Sequence, residues 1–571
     1  MAKKELNSDT GIQLLERDDY GDRPFNLHLD SHAIVTDPQS FTLDPIGGTG
    51  ATFRGKEIFD LEGVVGQIDS GTAAKLPNDK ITFAFLDKEH LLGIYNNPTV
   101  GFTAAAGLGI FSAAQKVAAR TSITLWDDLI APTFVESKTK GAGADIVFAN
   151  SADPEQAYAY YPTKQGYNFQ SDVFIADPAL NVTNKWFSAG GYGITTLVHE
   201  IGHSIGLSHP GAYNFDPNVP QTYLGLAEYA QDSNQYSIMS YWIENETGGV
   251  TYNWGKGTFN NPQTPMLHDI LTAQAKYGAD LTTRATDTVY GFNSTAGRDV
   301  FDFSQNKWPF AAVYDAGGKD TIDLSGFTAS QFLDLHDGAF SSIGQAIPSL
   351  AEINQGRAAL SAELGIALNP RSATFIANLT NQILTYSEAA IKAQTGEAGV
   401  FTTQYDNFAI AYGTVIENAI GGSARDVIWG NQVANRLEGR GGNDVIRGFE
   451  GNDTLLGGDG NDRLDGDQGQ DVLTGGAGLD TFVFDVVERG DRVTDFQTGI
   501  DKIDLLGIRN AGNTASFDFT WVGGNAFSGA AGELRYAGGV LEADLNGDRI
   551  ADLSITVDGN PPLVQSDVLF G

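Results

Sequence analysis

The sequence of 571 residues contains no cysteine, only 3 methionines and only 8 histidines. Without thiols the chain cannot form disulfide bonds, thiolate zinc sites or a cysteine-based zymogen lock. Basic residues are also scarce, since 35 Lys and Arg stand against 71 Asp and Glu and give a formal net charge of −36. This charge argues against nucleic acid or an anionic membrane surface as a partner. It also predicts that bound cations neutralise part of the acidic surplus.

Long apolar segments are missing as well. No run of 18 apolar residues occurs, so we predict no membrane-spanning helix. The N-terminus, MAKKELNS, lacks the apolar core of a secretory signal peptide. Residues 1–45 are polar and irregular, and we interpret them as an N-terminal extension or pro-segment.

Three of the eight histidines lie between residues 199 and 209, in the pattern H-E-x-x-H-x-x-G-x-x-H. His199 and His203 are four residues apart, so on a helix both imidazoles project from one face and can bind one Zn²⁺. Gly206 predicts the end of that helix, because glycine accepts the left-handed turn that lets His209 swing back as third ligand. Three protein ligands leave a fourth position open, which is typical of a catalytic zinc. Glu200, beside the first ligand, can serve as general base.

A second motif contains one of the three methionines. In the stretch SIMSY at 237–241, we expect Met239 to form a floor beneath the metal. Tyr241 is a candidate for an extra zinc ligand or for a hydrogen-bond donor to the oxyanion of a reaction. The predicted zinc-site residues are His199, His203, His209 and Tyr241, and the predicted catalytic residues are Glu200 and Tyr241.

At these motifs the chain resembles the serralysin family, the metzincin zinc endopeptidases with RTX repeats that Gram-negative bacteria export. The likeness includes the Met-turn at 236–242 (YSIMSYW), PMLHDI at 265–270 and YGFN at 290–293. It covers most of residues 60–344 and 405–510. The resemblance implies a secreted zinc metalloendopeptidase that hydrolyses peptide bonds in extracellular proteins, with one catalytic Zn²⁺ and several structural Ca²⁺. It also implies a monomer that leaves the cell through a type I secretion apparatus.

The resemblance also predicts the fold. We expect an α+β metzincin protease domain over residues 46–282, followed over residues 283–571 by an all-β parallel β-roll (RTX) and a secretion region. Residues 491–505 look like the part of the family that follows the roll and is associated with type I secretion.

Within the first domain, hydrophobic patterning predicts local elements. They are a strand at 81–86, a helix at 111–130, a second strand at 144–149, the zinc helix at 194–206 and a closing helix at 265–278. The family places a strand at the position of 144–149 at the sheet edge beside the cleft, where an extended peptide pairs with it. From the pattern alone, an interior strand is an equal alternative.

Seven consecutive units of nine residues run from residue 421 to residue 483, with the consensus G-G-x-G-x-D-x-U-x in which U is apolar. The eighth residue is expected to fill the roll interior, while glycines permit turns with positive φ and Asp supplies the hard oxygen that Ca²⁺ prefers. The predicted calcium-site residues are Asp426, Asp444, Asp453, Asp462, Asp471, Asp480, Gly439, Gly441, Gly448, Gly457, Gly466 and Gly475. The second unit has Asn431, Val433 and Asn435 at consensus positions, which predicts weaker or missing calcium there.

Residues 345–404 match no pattern of the family. Leucines and other apolar residues recur at helical spacing on both sides of Asn369-Pro370, so we predict two helices inserted into the β region. We interpret them as a packed addition, with an interaction hairpin as the alternative.

Two other functions are compatible with the sequence. The first is a protease dedicated to one surface-protein partner, which the helices at 345–404 would dock. The second is a calcium-binding surface or adhesion protein whose protease module is inert. The presence of Glu200 and Tyr241 argues against the second, because an enzyme that has become inert usually loses such residues first.

Overall fold

The computed structural model describes residues 43–44, 47–48, 50–71, 75–76, 79–87, 108–137, 144–152, 156–165, 168–213, 222–508 and 518–570. The predicted N-terminal extension therefore lies almost entirely outside the described residues. Among the helices of these ranges, none is long and apolar enough to cross a membrane.

The α-helices of the described ranges are α1 (Leu61–Ile68), α2 (Ala113–Asp127), α3 (Tyr192–Ser204), α4 (Tyr223–Leu226), α5 (Leu267–Tyr277), α6 (Leu350–Leu364) and α7 (Ala373–Thr395). Five of them begin with an ordinary side-chain cap: Asp60 caps α1, Ser112 caps α2, Thr222 caps α4, Ser349 caps α6 and Ser372 caps α7. The helix that carries the zinc motif, α3, starts at Gly191 without a side-chain cap.

A five-stranded sheet organises the N-terminal half. Its spatial order is Thr133–Glu136, Lys80–Phe85, Ile146–Ser151, Val173–Ala176 and Ala157–Ala159. The first four strands are parallel to their neighbours, and the last pairs antiparallel at the edge. Short two-stranded ribbons pair Thr52–Phe53 with Lys56–Glu57, Thr163–Gln165 with Asn168–Gln170, and Tyr252–Asn253 with Thr258–Phe259.

The strand Ile146–Ser151 lies in the interior of this sheet, and all six of its residues are buried. The expectation that it forms the sheet edge beside the cleft is therefore wrong. A strand that is apolar on both faces is stable only where both faces are covered, so the interior alternative applies. The edge strand is Ala157–Ala159, whose residues are only partly buried.

Two large sheets form the C-terminal half. The first has the order Val289–Gly291, Thr321–Asp323, Asn418–Ile420, Arg436–Gly441, Thr454–Asp459, Val472–Ala477, Arg489–Val493, Leu553–Val557, Val540–Asp544, Glu533–Ala537 and Thr520–Gly523. The second has the order Phe332–Asp334, Val427–Asn431, Val445–Phe449, Arg463–Asp465, Thr481–Val483, Lys502–Asp504 and Val568–Leu569. A third, small sheet contains Ala311–Val313, Phe408–Ile410 and Phe340–Ser341.

Consecutive nine-residue units alternate between the two large sheets, so residues 18 apart pair in parallel register. Leu437 pairs with Leu455 in one sheet, and Ile446 pairs with Leu464 in the other. The eighth residues of all seven units are fully buried in one core: Ile428, Leu437, Ile446, Leu455, Leu464, Leu473 and Phe482. These residues form one apolar column between the two sheets, which is the interior that the repeat predicts.

The segment 345–404 contains the two helices α6 and α7, which lie on either side of Asn369-Pro370. The strands that flank them, Phe340–Ser341 and Phe408–Ile410, pair antiparallel. The chain therefore leaves and re-enters the small sheet at one place. We call α6, α7 and their connection, residues 349–396, the helical hairpin.

Candidate metal centre and active site

Helix α3 presents His199 and His203 on one face, one turn apart. The helix spans Tyr192–Ser204, two residues earlier at each end than the predicted 194–206. Gly206 follows with a φ of +94°, a left-handed conformation that costs glycine little. The amide of Leu207 then bonds back to the carbonyl of Gly202 at 3.0 Å. This reversal brings His209 to the same face.

The three imidazoles converge through their Nε2 atoms. The Nε2 atom of His209 lies 3.3 Å from that of His199 and 3.1 Å from that of His203. Each Nδ1 atom instead contacts a backbone carbonyl: His199 contacts Ile238 at 2.8 Å, His203 contacts Leu207 at 2.7 Å and His209 contacts Tyr213 at 3.1 Å. Because a carbonyl only accepts, Nδ1 carries the proton in each ring, and the three Nε2 lone pairs face one another.

This arrangement fits one zinc ion. Tetrahedral ligands at about 2.0–2.1 Å from Zn²⁺ are about 3.3–3.4 Å apart, close to the two Nε2 separations. Burial lowers the pKa of His199 to about 4 and that of His209 to about 3, and it lowers the pKa of His203 as well. Neutral imidazole is the form that binds metal. The three Nε2 atoms are neutral acceptors that face one another with no proton between them, and such a group is a site for a cation.

Glu200 lies beside the cluster but belongs to no group of convergent ligands in the described part of the chain. Its side chain is buried, and its Oε2 atom has no hydrogen-bond partner among the described residues. Burial raises the pKa of Glu200 to about 8. A buried carboxyl oxygen with a vacant lone pair beside a metal site is placed to hold a water or take a proton.

Tyr241 lies beside the cluster. Its ring centroid lies 4.4 Å from that of His209 and 6.2 Å from that of His199. The residue is 39% exposed, unlike the buried Met239 two positions earlier. Its ring therefore lies against the imidazoles at a partly exposed position, and the role of its phenol stays a prediction.

Met239 packs directly beneath α3. A Cβ atom added to Gly202 would lie 2.5 Å from the Met239 sulfur, so only glycine permits this approach of helix and turn. On another side, the buried indole of Trp126 in α2 donates to the carbonyl of Val198 at 3.0 Å. The ligand helix is thus held between α2 and the Met-turn.

Asp269, in the first turn of α5, fixes the Met-turn, a role that no sequence motif predicted. Its carboxylate accepts from the amide of Ile238 at 2.6 Å, from the hydroxyl of Ser237 at 2.7 Å and from the amide of Met266 at 2.8 Å. The carbonyl of Ile238 is the group that orients His199. The signal available in the sequence was the acidic residue of PMLHDI, at the first turn of a helix.

We expect Asp269→Asn to weaken zinc binding by ~10-fold or more, the range seen when a group that orients a metal ligand is lost. An amide nitrogen cannot accept, so at least one of the three donors loses its partner. Zinc affinity is measured by competition with a chelator. Asp280→Asn is the control, because Asp280 also accepts three bonds, all from its own loop at Thr282 and Thr283. Equal affinity in the two variants would contradict this role.

Tyr213 and Asp232 connect the third ligand to the Met-turn. The ring of Tyr213 stacks on His209 at 5.6 Å, and its hydroxyl donates to Asp232 at 2.8 Å. Asp232 also accepts from Ser240 at 2.7 Å and from the indole of Trp242 at 3.1 Å. No spacing rule in the sequence links these residues, which lie on three loops.

The sheet edge passes beside the metal cluster. Tyr161 follows the edge strand Ala157–Ala159 closely, and its ring lies 5.5 Å from that of His203. Electrostatic repulsion from Glu200 adds to burial in raising the pKa of Tyr161. An extended chain that paired with this edge would therefore run next to the imidazoles.

In the roll, the aspartates at the sixth repeat position form two ladders. The Oδ1 atom of Asp444 accepts from the amide of Asp426 at 2.8 Å, and the Oδ1 atom of Asp462 accepts from the amide of Asp444 at 2.9 Å. The second oxygens of Asp444, Asp453, Asp462 and Asp480 are buried without a hydrogen-bond partner in the described part of the chain. Burial raises the pKa of Asp444 and Asp453 to about 7. Unpartnered buried carboxylate oxygens are costly unless a cation binds them.

The glycines of the roll have two different functions. The fourth position has positive φ and is glycine in the five units from residue 439 on, for example +143° at Gly460. The first position has no positive φ, contrary to the general expectation for these glycines. A Cβ atom at Gly457 would instead lie 2.3 Å from the Oδ2 atom of Asp462, because the aspartate folds back over its own unit. Gly439, Gly448, Gly466 and Gly475 have the same close approach.

The first two units differ from the five that follow. Both oxygens of Asp426 accept backbone amides, from Gln331 at 2.8 Å and from Gly422 at 2.6 Å. Asn435 accepts the amide of Asn431 at 2.8 Å in the same manner. In the seven described units, the buried carboxylate oxygens without a hydrogen-bond partner therefore begin at Asp444.

At the far end of the roll, the carboxylates of Asp471, Glu488 and Asp491 come together.

Comparisons with known proteins agree with this geometry. The family model described as "Peptidase M10 serralysin C terminal" matches residues 279–355 and 390–570. The chain is 34% identical to the metallopeptidase AprA of Pseudomonas marginalis, over 90% of this chain and 92% of that protein. It is 34% identical to serralysin A of Dickeya chrysanthemi, over 90% and 88%, and 37% identical to the serralysin of Proteus mirabilis, over 74% of each. With these likenesses and a triad of convergent histidines, the chain belongs to the serralysin family of zinc metalloendopeptidases.

Proposed function

We propose that this zinc metalloendopeptidase is a secreted, calcium-stabilised enzyme that hydrolyses extracellular proteins, with His199, His203 and His209 as its metal ligands. The observation that supports it best is the convergence of three Nε2 lone pairs beside the buried carboxyl of Glu200. We also propose that the protease domain spans residues 46–282 and the calcium-binding and secretion domain residues 283–571.

The roles of the chain's own residues follow from their positions. Zn²⁺, when bound, polarises the scissile carbonyl and lowers the pKa of the attacking water. Glu200 removes the proton from that water as its oxygen bonds to the carbonyl carbon, then delivers the proton to the amine as the C–N bond breaks. Tyr241 donates a hydrogen bond to the carbonyl oxygen as negative charge develops on it.

The edge strand Ala157–Ala159 is the proposed docking site for the substrate backbone. In the described part of the chain it pairs with Val173–Ala176 and is the last strand of the five-stranded sheet. An extended peptide can add to the other side through main-chain hydrogen bonds. Tyr161, which follows the strand, supports this placement because its ring reaches His203.

The proposed calcium sites use the second oxygens of the aspartates from residue 444 to residue 480. Carboxylate oxygens and backbone carbonyls are the ligands that Ca²⁺ prefers, and the positive-φ turns leave carbonyls exposed between successive units. Asp426 is left out of this proposal, because backbone amides already occupy both of its oxygens. The proposed export through a type I apparatus rests on the resemblance of residues 491–505 to the family.

The function is tested by metal analysis of the purified full chain together with hydrolysis of casein. We expect one zinc per chain, casein cleavage, loss of cleavage with a zinc chelator and recovery when zinc is restored. Stoichiometric zinc without cleavage of casein or of candidate surface proteins would instead favour the adhesion alternative. Cleavage of one surface protein but not of casein would favour the dedicated protease.

Tyr241→Phe is expected to lower kcat by ~10-fold or more while KM changes by no more than ~2-fold. A hydrogen bond that forms mainly in the transition state affects kcat rather than substrate binding. The variant loses one hydroxyl at a partly exposed position, so zinc content and folding should be unchanged. Steady-state kinetics with a defined peptide measures both constants. Tyr536→Phe is the control, because it removes a phenol hydroxyl from the C-terminal strand Glu533–Ala537. An unchanged kcat in Tyr241→Phe would mean that its ring only fills space.

A further inference from the structure

The helical hairpin packs against both halves of the molecule. Ile353, Leu379 and Ile383 share a buried cluster with Trp254 of the N-terminal half and with Phe332 and Val427 of the roll. The family model passes over most of this segment, since its match stops at residue 355 and resumes at residue 390. Its apolar faces are thus buried against the rest of the chain, as a packed addition to the fold would have them.

The start of the zinc-ligand helix depends on contacts with neighbouring segments. Helix α3 begins at Gly191 without a side-chain cap and has no acidic residue in its first turn. Its first turn rests instead on Trp186, whose carbonyl accepts from Ile194 at 3.3 Å. A Cβ atom on Gly191 would lie 2.5 Å from the carbonyl oxygen of Trp186, so the two segments touch without room between them. A displacement of Trp186 would therefore move α3.

Helix α6 of the hairpin holds that segment. The Oε1 atom of Glu363 accepts from the amides of Phe187 at 3.1 Å and Ser188 at 3.3 Å, and its Oε2 atom accepts from the Ser188 hydroxyl at 3.1 Å. Beside it, Leu360 and Leu364 form a buried cluster with Trp186, and Tyr192 in the first turn of α3 packs against it. The carboxylate of Glu363 and the two leucines therefore contact the same segment, residues 186–188.

The other side of α6 is anchored to a loop of the N-terminal half. The guanidinium groups of Arg357 and Arg371 donate to the carbonyl of Gly257 at 3.1 Å and 2.8 Å. A Cβ atom on Gly356 would lie 1.7 Å from the carbonyl oxygen of Gly255, so helix and loop are in direct backbone contact. With α7 packed on the roll, α6 has little freedom to shift.

We propose that the helical hairpin braces the start of the zinc-ligand helix and that Glu363 is its positioning residue. The proposal rests on the proposed function, since it concerns the same site. In this proposal the hairpin keeps α3 aligned, and with it Glu200 and the first two ligands. It does not serve to bind a partner protein. It also connects the roll to the active site, because the same hairpin packs on both.

The test compares Glu363→Ala with Glu388→Ala in the full chain. Glu388 is the matched control, because it also lies on the hairpin and accepts one backbone amide, that of Gly399 at 3.1 Å, remote from α3. Glu363→Gln tests rescue, since its amide oxygen can still accept from Phe187 and Ser188. The readouts are hydrogen exchange of residues 186–198, measured in the Glu200→Ala background to prevent autolysis, and kcat and KM in the native background.

In Glu363→Ala we expect ~10-fold faster exchange over residues 186–198, from the lost charge-assisted bonds. We also expect a ~5–10-fold lower kcat with KM within ~2-fold, because small misalignment of catalytic groups slows the chemical step. Glu363→Gln should recover most of both, and Glu388→Ala should resemble the parent. Unchanged exchange in Glu363→Ala, or equal effects in Glu388→Ala, would overturn the brace. A parent without proteolysis would refute the proposed function alone, since the exchange measurement would still decide on the brace.

Discussion

Glu200→Ala is expected to keep one zinc per chain while proteolysis falls by ~10²–10⁴-fold, the usual contribution of a general base. The three Nε2 atoms converge without Glu200, and each imidazole is oriented by a backbone carbonyl rather than by this carboxylate. Removal of the side chain therefore takes away a proton acceptor and leaves the ligand set intact. Zinc content by metal analysis and kcat/KM on one peptide are measured on the same preparation.

His203→Ala is the complementary variant, because it removes a ligand and leaves the base in place. It should lose both zinc and activity, whereas Glu200→Ala should lose activity alone. Full activity in Glu200→Ala would exclude the proposed base. Loss of stoichiometric zinc in that variant would show that Glu200 supports the metal instead.

The second large effect is expected from removal of calcium. In excess chelator the roll should be mostly unfolded, and millimolar Ca²⁺ should restore its β-structure. Three features make the roll dependent on a cation. Its carboxylate rows repel one another, its glycines lose much conformational entropy on folding, and its interior column has one apolar residue per nine. Binding to the folded form alone then shifts the equilibrium by mass action.

The measurement is circular dichroism of the full-length Glu200→Ala variant, which avoids autolysis, during a calcium titration. Asp462→Ala should raise the calcium midpoint, because it removes one of the buried vacant oxygens. Asp459→Ala is the control within the same unit, since that side chain is exposed. Complete β-signal in excess chelator would mean that the repeats form a stable scaffold without calcium.

Spacing within the sequence predicted the local geometry. His199 and His203 are four positions apart, which places both rings on one helical face, and Gly206 does turn the chain, with a φ of +94°. Likewise, a period of nine residues places Ile446 and Leu464 in register inside the roll. Such features depend on residues that are close along the chain, so a repeat or a motif is enough to predict them.

Contacts between segments that are distant along the chain were not predictable in this way. The six buried residues of Ile146–Ser151 fit an edge or an interior strand until the neighbouring strands are known. Asp269 orients His199 through Ile238, across three segments that only folding brings together. The need for glycine at the first repeat position arises from the folded-back carboxylate of Asp462 and its equivalents, not from backbone φ.

The sequence by itself determined the chemistry of this protein: the ligand set, the adjacent carboxylate and the acidic repeat are all short-range patterns whose residue types carry their function. Only the tertiary structure decided how that chemistry is aligned. It placed Glu363 of the helical hairpin against Phe187 and Ser188, 175 or more positions away along the chain. Hydrogen bonds and packing at such separations depend on the relative placement of whole elements, which local spacing does not specify.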